Sequence, residues 1–555
     1  MPWWSRVLLL LIFLPNLAFA AKPNIILITI SSNRANNSTP AAAKLSRSSL
    51  TFDQAFAQSP ETVASTATIL TGTYPQTHQA GELGSPLPPS LPYLPDVLRL
   101  RGYRAAAFVS TVVLDPKNGS ALGFGRGFFT YDAGFHLPAA GESRLASTER
   151  RSSEVINRAS SWITKNSQSP FFLWVQLNDA ATATGTSYTA AIAACDSAMG
   201  KLVEALRSQK LLDDALIVVT ADHGQSLGTH GEDTHGIFLY DETIHVPLLL
   251  KLPQNQMAGK HGQGKVGLVD IAPTILEVAG VAVPSQMQGQ SLLRLAKAVG
   301  DRPVYSRSDF PQRAFGWSAL ESWRAGKYLY VRAPKPELYD LNSDPAAKKN
   351  LAQNSKGTLD TIAAQLNAFD SHFGAQGRNS AELTSTEMQK LASLGYVGLQ
   401  KSASRPGTEA TGIDPKDGID AANKVFSSAA LLNDGKPGDV VRILQPAISA
   451  LPNSYLAQYT LGAALAQQQQ YAAAIGHLHK AIELQPESAW AHYQMGLSLL
   501  KTADYRTAAV HLEIAASRMP DFPDAHTLLA QAYDHLGRAE DAKRERSKAP
   551  SVGRQ

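Results

Sequence analysis

Four short runs in the first half of the chain are apolar at nearly every position. They span residues 24–30, 104–109, 170–177 and 215–220. A central strand of a parallel sheet is covered on both faces, so it shows a continuous apolar run rather than an alternating pattern. Segments with apolar positions at helical spacing, such as 91–101 and 152–165, lie between these runs. The alternation predicts an α/β domain with a doubly wound, mostly parallel sheet.

The pattern changes near residue 299. Two short strands are predicted over 327–332 and 337–340, and a helix over 359–373. This order predicts a smaller α+β subdomain over 299–398, which closes a first domain spanning 21–398. The stretch 399–420 is polar and contains Ser, Pro, Gly and Thr, a composition typical of a linker.

The C-terminal part of the chain is repetitive. Pro452, Pro486 and Pro520 recur every 34 residues, and small residues recur with them at Gly462, Gly496 and Ala530. This period resembles the tetratricopeptide repeat, in which small residues lie where two antiparallel helices press together. Three repeats follow a degenerate first unit in which Leu444 and Ala447 stand in register with Leu478 and Ala481. The resemblance implies an all-α solenoid over 421–548 whose concave face binds a protein or peptide partner.

The N-terminus has the pattern of a signal peptide over 1–20. Arg6 precedes an apolar run over 7–14, and Ala18-Phe19-Ala20 forms a small-residue cleavage site. We therefore expect export to the periplasm or the extracellular space, with retention as an uncleaved anchor as the alternative. No later segment is apolar enough to span a membrane.

Charge and cysteine content narrow the function. The formal net charge is +4 over 555 residues, and no concentrated basic face points to nucleic acid. The single cysteine, Cys195, rules out an intrachain disulfide. Its helical surroundings predict a small buried hydrophobic residue.

Polar residues follow the predicted strands directly. Asp222-His223-Gly224 comes after the run 215–220, and Gln176 to Asp179 ends the run 170–177. A carboxylate and an imidazole at a strand end can offer two ligands to one metal. Thr62 begins a segment rich in Thr and Ser, where a helix N-terminus can hold an oxyanion.

These segments carry a family resemblance. Residues 23–30, 62–72, 219–224, 239–247 and 268–274 resemble the sulfatases and their relatives in the alkaline phosphatase superfamily. The resemblance covers about 21–397 and implies metal-dependent hydrolysis of sulfate or phosphate esters. In that comparison Thr62 falls at the nucleophile position, Asp222, His223 and Thr62 are the remaining metal ligands, and His235 would bind metal or the substrate's oxyanion.

The sequence also departs from the family pattern. Ser31 and Ser32 stand where the family places aspartates, Thr66 stands at the arginine position, and Gln176 and Ala181 replace histidines. Because Cys195 is the only cysteine, a cysteine-derived formylglycine is excluded. The remaining donors fit a zinc-type ion better than calcium, which takes about six to eight oxygen ligands. The absence of any metal is the alternative.

Two hypotheses follow. The first is a metal-dependent ester hydrolase with reduced or lost activity, in which Thr62 is nucleophile and ligand. The second is an inactive sulfatase-like pseudoenzyme that acts as a binding scaffold through its repeats. Two structural interpretations compete with the catalytic ones, since Thr62 can serve as a plain helix N-cap and Asp222 as a turn cap.

Overall fold

A computed structural model describes residues 22–549, except 38, 82–85, 117–119, 136–148, 181–184, 299, 374–411 and 521. The predicted signal peptide and residues 399–411 of the predicted linker lie outside this part of the chain. Among the described residues, no helix combines the length and the apolar character needed to cross a membrane.

The bounds of the strands and helices follow the chain order. The strands are β1 Ile25–Ile30, β2 Leu50–Phe56, β3 Arg104–Phe108, β4 Thr130–Asp132, β5 Phe171–Leu177, β6 Leu216–Thr220, β7 His245–Lys251, β8 His261–Gly262, β9 Val266–Gly267, β10 Val304–Ser308, β11 Leu320–Ala325, β12 Tyr328–Arg332 and β13 Glu337–Asp340. The helices are α1 Pro40–Ser46, α2 Thr62–Thr71, α3 Pro75–His78, α4 Leu94–Arg99, α5 Ser152–Asn166, α6 Gly185–Ser208, α7 Asp241–Ile244, α8 Ile271–Val278, α9 Leu292–Leu295, α10 Phe310–Phe315, α11 Lys356–Phe373, α12 Pro415–Asn433, α13 Pro437–Leu444, α14 Tyr455–Gln467, α15 Tyr471–Leu484, α16 Ala489–Lys501, α17 Tyr505–Arg518, α18 Pro523–His535 and α19 Ala539–Lys548.

The large sheet has the order β4-β3-β5-β1-β6-β7-β2-β8, with β9 paired to β2. Strands β4, β3, β5, β1 and β6 are mutually parallel, whereas β7 is antiparallel to both β6 and β2. The four apolar runs of the sequence are the strands β1, β3, β5 and β6. The predicted α/β fold with a mostly parallel sheet is therefore confirmed.

Both faces of the sheet are buried. Along β1, Ile25 and Leu27 contribute to one hydrophobic core, while Ile26, Ile28 and Ile30 contribute to a second core on the other face. Helices cover the two faces, as a doubly wound sheet requires. Cys195 lies buried in the second core, and burial raises the pKa of its thiol to about 11.

The smaller subdomain contains a four-stranded antiparallel sheet in the order β10-β11-β12-β13. Helix α11 packs on it, with Ile362 and Leu366 buried against Trp323 and Tyr330. The strands predicted over 327–332 and 337–340 are present at β12 and β13.

The C-terminal region consists of paired helices from α12 to α19. A Cβ atom at Gly462 would lie 2.8 Å from Leu478 Cγ, and one at Gly496 would lie 2.5 Å from Leu512 Cγ. Such close approach requires a small residue at the positions that recur every 34 residues. The degenerate first unit is the pair α12 and α13. Its first helix begins at Pro415, with Asp414 accepting the Lys416 N–H, so the predicted linker ends too late.

Candidate active site

The candidate site lies where the central parallel strands end. Ser31 follows β1, Asp222 follows β6 and Gln176 lies near the end of β5, while α2 begins with Thr62. The carboxyl ends of parallel strands meet at one edge of the sheet, where such folds place their ligands. The side chains of Ser31, Gln176, Asp222 and His223 have no solvent-exposed surface, and Thr62 is 6% exposed.

Asp222 is the centre of a hydrogen-bond network. Its Oδ2 accepts the Ser31 hydroxyl at 2.7 Å, and its Oδ1 accepts the His223 backbone N–H at 2.8 Å. Its backbone carbonyl accepts the Ser65 hydroxyl from α2 at 2.5 Å. The carboxylate is thus satisfied by neutral donors, and Ser65 ties the turn to the helix that carries Thr62.

Gln176 extends the network along the strand ends. Its Nε2 donates to Ser31 Oγ at 2.8 Å and to Asn178 Oδ1 at 3.3 Å, and its Oε1 accepts the Ser110 N–H at 2.9 Å. Asn178 then donates to Glu149 at 2.9 Å. Glu149 was not predicted, because it stands outside any motif. Burial raises the pKa of its carboxyl to about 7.

Thr62 and His223 form the pair closest to a nucleophile and its base. His223 Nδ1 lies 2.7 Å from Gly224 O, which can only accept, so Nδ1 carries the proton. In the neutral ring Nε2 is then an acceptor, and the Thr62 hydroxyl lies 3.0 Å from it. The N-cap of α2 is Glu61 rather than Thr62. The interpretation of Thr62 as a plain helix cap is therefore wrong.

His235 joins the site through its ring. It lies against His223 with ring centroids 4.1 Å apart, and its Nδ1 donates to Gln225 Oε1 at 2.7 Å. Burial, together with the neighbouring His223, lowers the pKa of His235 far below its ordinary value. The ring is therefore neutral at neutral pH. Ser31, Thr62, Asp222, His223 and His235, predicted separately, lie together.

Gly224 fixes the turn in place. A Cβ atom at this position would lie 2.1 Å from the backbone oxygen of Glu242. The close approach lets the Gly224 N–H donate to Thr243 O at 2.8 Å, which ties the turn to α7. Only glycine fits here, so the orientation of Asp222 and His223 depends on backbone packing as well as on their own hydrogen bonds.

The donors at this site do not match the divalent metal that the resemblance implies. Within the described residues, no group of three or more His, Cys, Asp and Glu side chains is placed to hold a metal ion. Catalytic zinc uses about three protein ligands and open coordination. The ionisable donors around Thr62 and His223 are Asp222, His223 and His235. Both carboxylate oxygens of Asp222 already accept hydrogen bonds, and Nδ1 of each ring already donates to an oxygen. By donor chemistry, the residues present do not fit such an ion.

Two buried hydroxyl groups, on Ser32 and Thr66, lie at positions where the family pattern has charged residues. Ser32 Oγ and Thr66 Oγ1 are buried, and neither has a hydrogen-bond partner within the described structure. Ser32 also has a left-handed backbone, with φ of 62°. The aspartate and arginine positions of the family are thus occupied by small neutral side chains, which supply no charge for an anionic ester.

The sheet order and the polar residues at its carboxyl edge define a fold of the alkaline phosphatase and sulfatase type. Residues 23–281 match the sulfatase family model, and residues 231–369 match the model of the N-sulphoglucosamine sulphohydrolase C-terminal region. Residues 452–502 and 499–555 match tetratricopeptide repeat models. The first domain of the chain therefore matches the sulfatase family over residues 23–281, and tetratricopeptide repeats follow it.

Curated relatives match a limited part of the chain. Arylsulfatase K of Mus musculus is 32% identical over 181 residues, which cover 30% of this chain and 32% of that protein. The choline-sulfatase of Rhizobium meliloti is 31% identical over 188 residues, covering 33% and 35%. The chain thus spans about a third of the length of these relatives.

Solved structures support the fold. The phosphonate monoester hydrolase of Agrobacterium radiobacter has a TM-score of 0.53 at 19% identity, covering 63% of this chain and 96% of that one. The phosphonate monoester hydrolase of Silicibacter pomeroyi has a TM-score of 0.51 at 18% identity, covering 64% and 96%. At these identities the likeness concerns architecture alone.

Proposed function

We propose that this protein is an exported sulfatase-like pseudoenzyme that binds a protein partner through its repeats. One observation carries the proposal: both carboxylate oxygens of Asp222 are engaged by the neutral donors of Ser31 and His223. A divalent ion in a buried site needs several suitably placed ligands, commonly carboxylates among them, to offset its desolvation. The site instead keeps the positions of a hydrolase and replaces its charges with hydrogen bonds.

The repeats supply the second half of the proposal. Tetratricopeptide repeats in general mediate protein–protein interactions, and a stack of helical pairs presents an extended binding surface. Export follows from the N-terminal pattern of Arg6, the apolar run 7–14 and Ala18-Phe19-Ala20. A zinc-type ion at Asp222, His223 and Thr62 stays an untested prediction, and under this proposal the purified protein lacks it.

Residual ester hydrolysis is the second candidate function. The distance of 3.0 Å between the Thr62 hydroxyl and His223 Nε2 favours it, because this is the geometry of a nucleophile and its general base. In such a reaction His223 would take the hydroxyl proton as Thr62 Oγ1 bonds to the sulfur or phosphorus atom and the ester's alcohol leaves with that proton. Water would then hydrolyse the Thr62 ester and release sulfate or phosphate. No guanidinium stands at the Thr66 position to stabilise the transferring group, so turnover of sulfate and phosphate esters would be slow.

The test measures metal content and turnover on the same preparation. The full-length protein is purified without chelators, its metals are quantified by mass spectrometry, and an aryl sulfate, a phosphate monoester and a phosphate diester are assayed. The proposal expects substoichiometric metal and no turnover above the buffer. Turnover that is abolished in Thr62→Ala would overturn it in favour of the hydrolase.

A gain-of-charge variant sharpens the result. Ser31→Asp combined with Gln176→His restores two of the ligand types that the family pattern contains. If the site is depleted but otherwise intact, the double variant should take up zinc when the wild type does not. The matched control is Ser46→Asp, because Ser46 lies on α1 away from the network around Asp222.

A further inference from the structure

The helical repeats pack directly on the sulfatase domain. Helix α12 meets the loop 226–236, which carries His235, and α14 packs against α10. Ser454 donates to Ala314 O at 2.8 Å, and Gln485 donates to Arg313 O at 2.8 Å. The sequence predicts a polar linker at 399–420, which would leave the two parts independent. The described contacts show that they share an interface.

Asn423 of α12 holds the backbone of the loop. Its Nδ2 donates to Gly231 O at 2.7 Å, and its Oδ1 accepts the Asp233 N–H at 3.2 Å. Ile419, one turn earlier, packs against Gly231, whose φ is +83°. One side chain thus binds a carbonyl four residues before His235 and an amide two residues before it.

A partly buried ion pair contacts the same loop through a second set of residues. Lys416 Nζ lies 2.6 Å from Glu337 Oε1, and Glu337 is 2% exposed. The other oxygen of Glu337 accepts the Tyr240 hydroxyl at 2.6 Å. The Tyr240 ring stacks on His230 of the loop, with centroids 3.7 Å apart. The start of α12 is therefore linked to the loop through the smaller subdomain.

Apolar packing fixes the position of α12. The Phe426 ring lies 5.7 Å from that of Phe310 and 5.9 Å from that of Phe315, measured between centroids. The Trp317 ring occupies the space beside Gly418, where a Cβ atom would lie 2.4 Å from it. Aromatic contacts of this kind stabilise an interface beyond simple area burial. The helix therefore has its own anchor, independent of Asn423.

We propose that α12 braces the loop 226–236, so that Asn423 is a positioning residue for His235 and the repeats are a structural part of the candidate site. The brace does not depend on whether the site turns over an ester. It has a functional consequence, because a partner that displaces α12 when it binds the repeats would also release the loop that carries His235.

The loop also has supports of its own. Glu232 accepts the Ile237 N–H at 2.8 Å and the Phe238 N–H at 3.3 Å, and the Ser226 N–H donates to Thr234 O at 2.7 Å. These bonds predict that the loop keeps its overall path without the brace. Removing the contacts with α12 should therefore increase local opening of the loop without unfolding it, and hydrogen exchange measures such opening.

The test is hydrogen exchange followed by mass spectrometry on the full-length protein. Asn423→Ala removes the hydrogen bonds to Gly231 and Asp233. Phe426→Ala removes the ring contacts with Phe310 and Phe315 that hold α12. Peptides covering 226–236 should exchange roughly fivefold faster in Asn423→Ala, the factor expected for a loss of about 1 kcal/mol. Peptides covering α16 and α17 should be unchanged. Lys424→Ala, on the exposed neighbouring position, is the matched control and should match the wild type.

Two outcomes would overturn the proposal. In the first, exchange over 226–236 is the same as in the wild type for both Asn423→Ala and Phe426→Ala, which means that the sulfatase domain holds the loop alone. In the second, exchange rises equally over 226–236 and over α16 and α17, which means that the variants destabilise the chain as a whole. Either result leaves the proposed loss of metal-dependent turnover unaffected.

Discussion

Two histidine pairs, one in each part of the molecule, show how the same side chain can have different roles. In the repeats, His492 Nδ1 lies 2.8 Å from His511 Nδ1, and His492 Nε2 donates to Pro486 O at 3.0 Å. In the candidate site, the rings of His223 and His235 lie against each other at an interplanar angle of 30°, and each Nδ1 donates to its own oxygen acceptor. In the repeat pair the two Nδ1 atoms bond to each other, whereas the site pair directs His223 Nε2 to Thr62.

The register of the repeats supports a structural role for the first pair. One repeat earlier the same two positions hold Gln458 and His477, 2.8 Å apart, and one repeat later they hold His526 and Glu545, 2.6 Å apart. A polar bridge between paired helices thus recurs at a fixed position while its chemistry changes. Buried polar groups need a partner, and any complementary partner is sufficient. In the site, by contrast, the particular residue types determine what chemistry is possible.

The largest expected effect comes from removing the acceptor at the centre of the site. Asp222→Ala leaves the Ser31 hydroxyl and the His223 N–H without their acceptor in a buried environment. We expect the free energy of unfolding to fall by about 3 kcal/mol, measured by urea denaturation. Asp222→Asn keeps one acceptor and should lose less than half as much. An unchanged midpoint for Asp222→Ala would show that water replaces the carboxylate.

Acid should lower the free energy of unfolding through the histidine pair of the repeats. Burial, together with His492 and His479, lowers the pKa of His511 far below its ordinary value. The unfolded chain then binds more protons than the folded chain below about pH 6.5, so stability is lost as the pH falls. Between pH 6.5 and 5 this histidine should contribute a loss of about 2 kcal/mol, and His511→Gln should remove it. An unchanged acid dependence in His511→Gln would contradict this assignment.

The smallest effect is expected from exchanging one bridge for another. His492→Gln recreates the pairing of Gln458 with His477 one repeat later. Because a glutamine oxygen can accept from His511, the free energy of unfolding at pH 7.5 should change by less than about 0.5 kcal/mol. His492→Leu removes the bridge and serves as the matched control, with an expected loss of about 2 kcal/mol. A large loss for the glutamine variant would mean that the histidine pair has a specific role.

The sequence predicts the strands of the large sheet better than it predicts the side-chain contacts of the candidate site. Continuous apolar runs identify β1, β3, β5 and β6, since a strand buried on both faces has few other patterns available. Thr62, Asp222 and His223 come together because they stand at the ends of elements whose positions the fold determines. The strand β2 carries no comparable signal, because Asp53 and Gln54 interrupt it. Glu149 and Asn423 could not be predicted, because their partners are distant in sequence and no motif connects them.

Helix α12 begins inside the stretch that is predicted to be a linker. Its first residues are polar and follow a Ser- and Pro-containing stretch, so composition favours a linker there. The local signal was nevertheless present, because Asp414 before Pro415 is a common way to begin a helix. Composition is an average over many residues, so it does not reveal a helix start that depends on Asp414 and Pro415 alone.

Gly224 gives the Asp-His-Gly turn a structural role that does not depend on catalysis. The space beside its Cα is filled by the backbone oxygen of Glu242, so any larger residue would push α7 away from the sheet. The need to fold is therefore enough to retain the turn, with or without turnover. A search that recognises relatives by this turn detects the architecture, and a survey of activity must instead inspect the residues after β1.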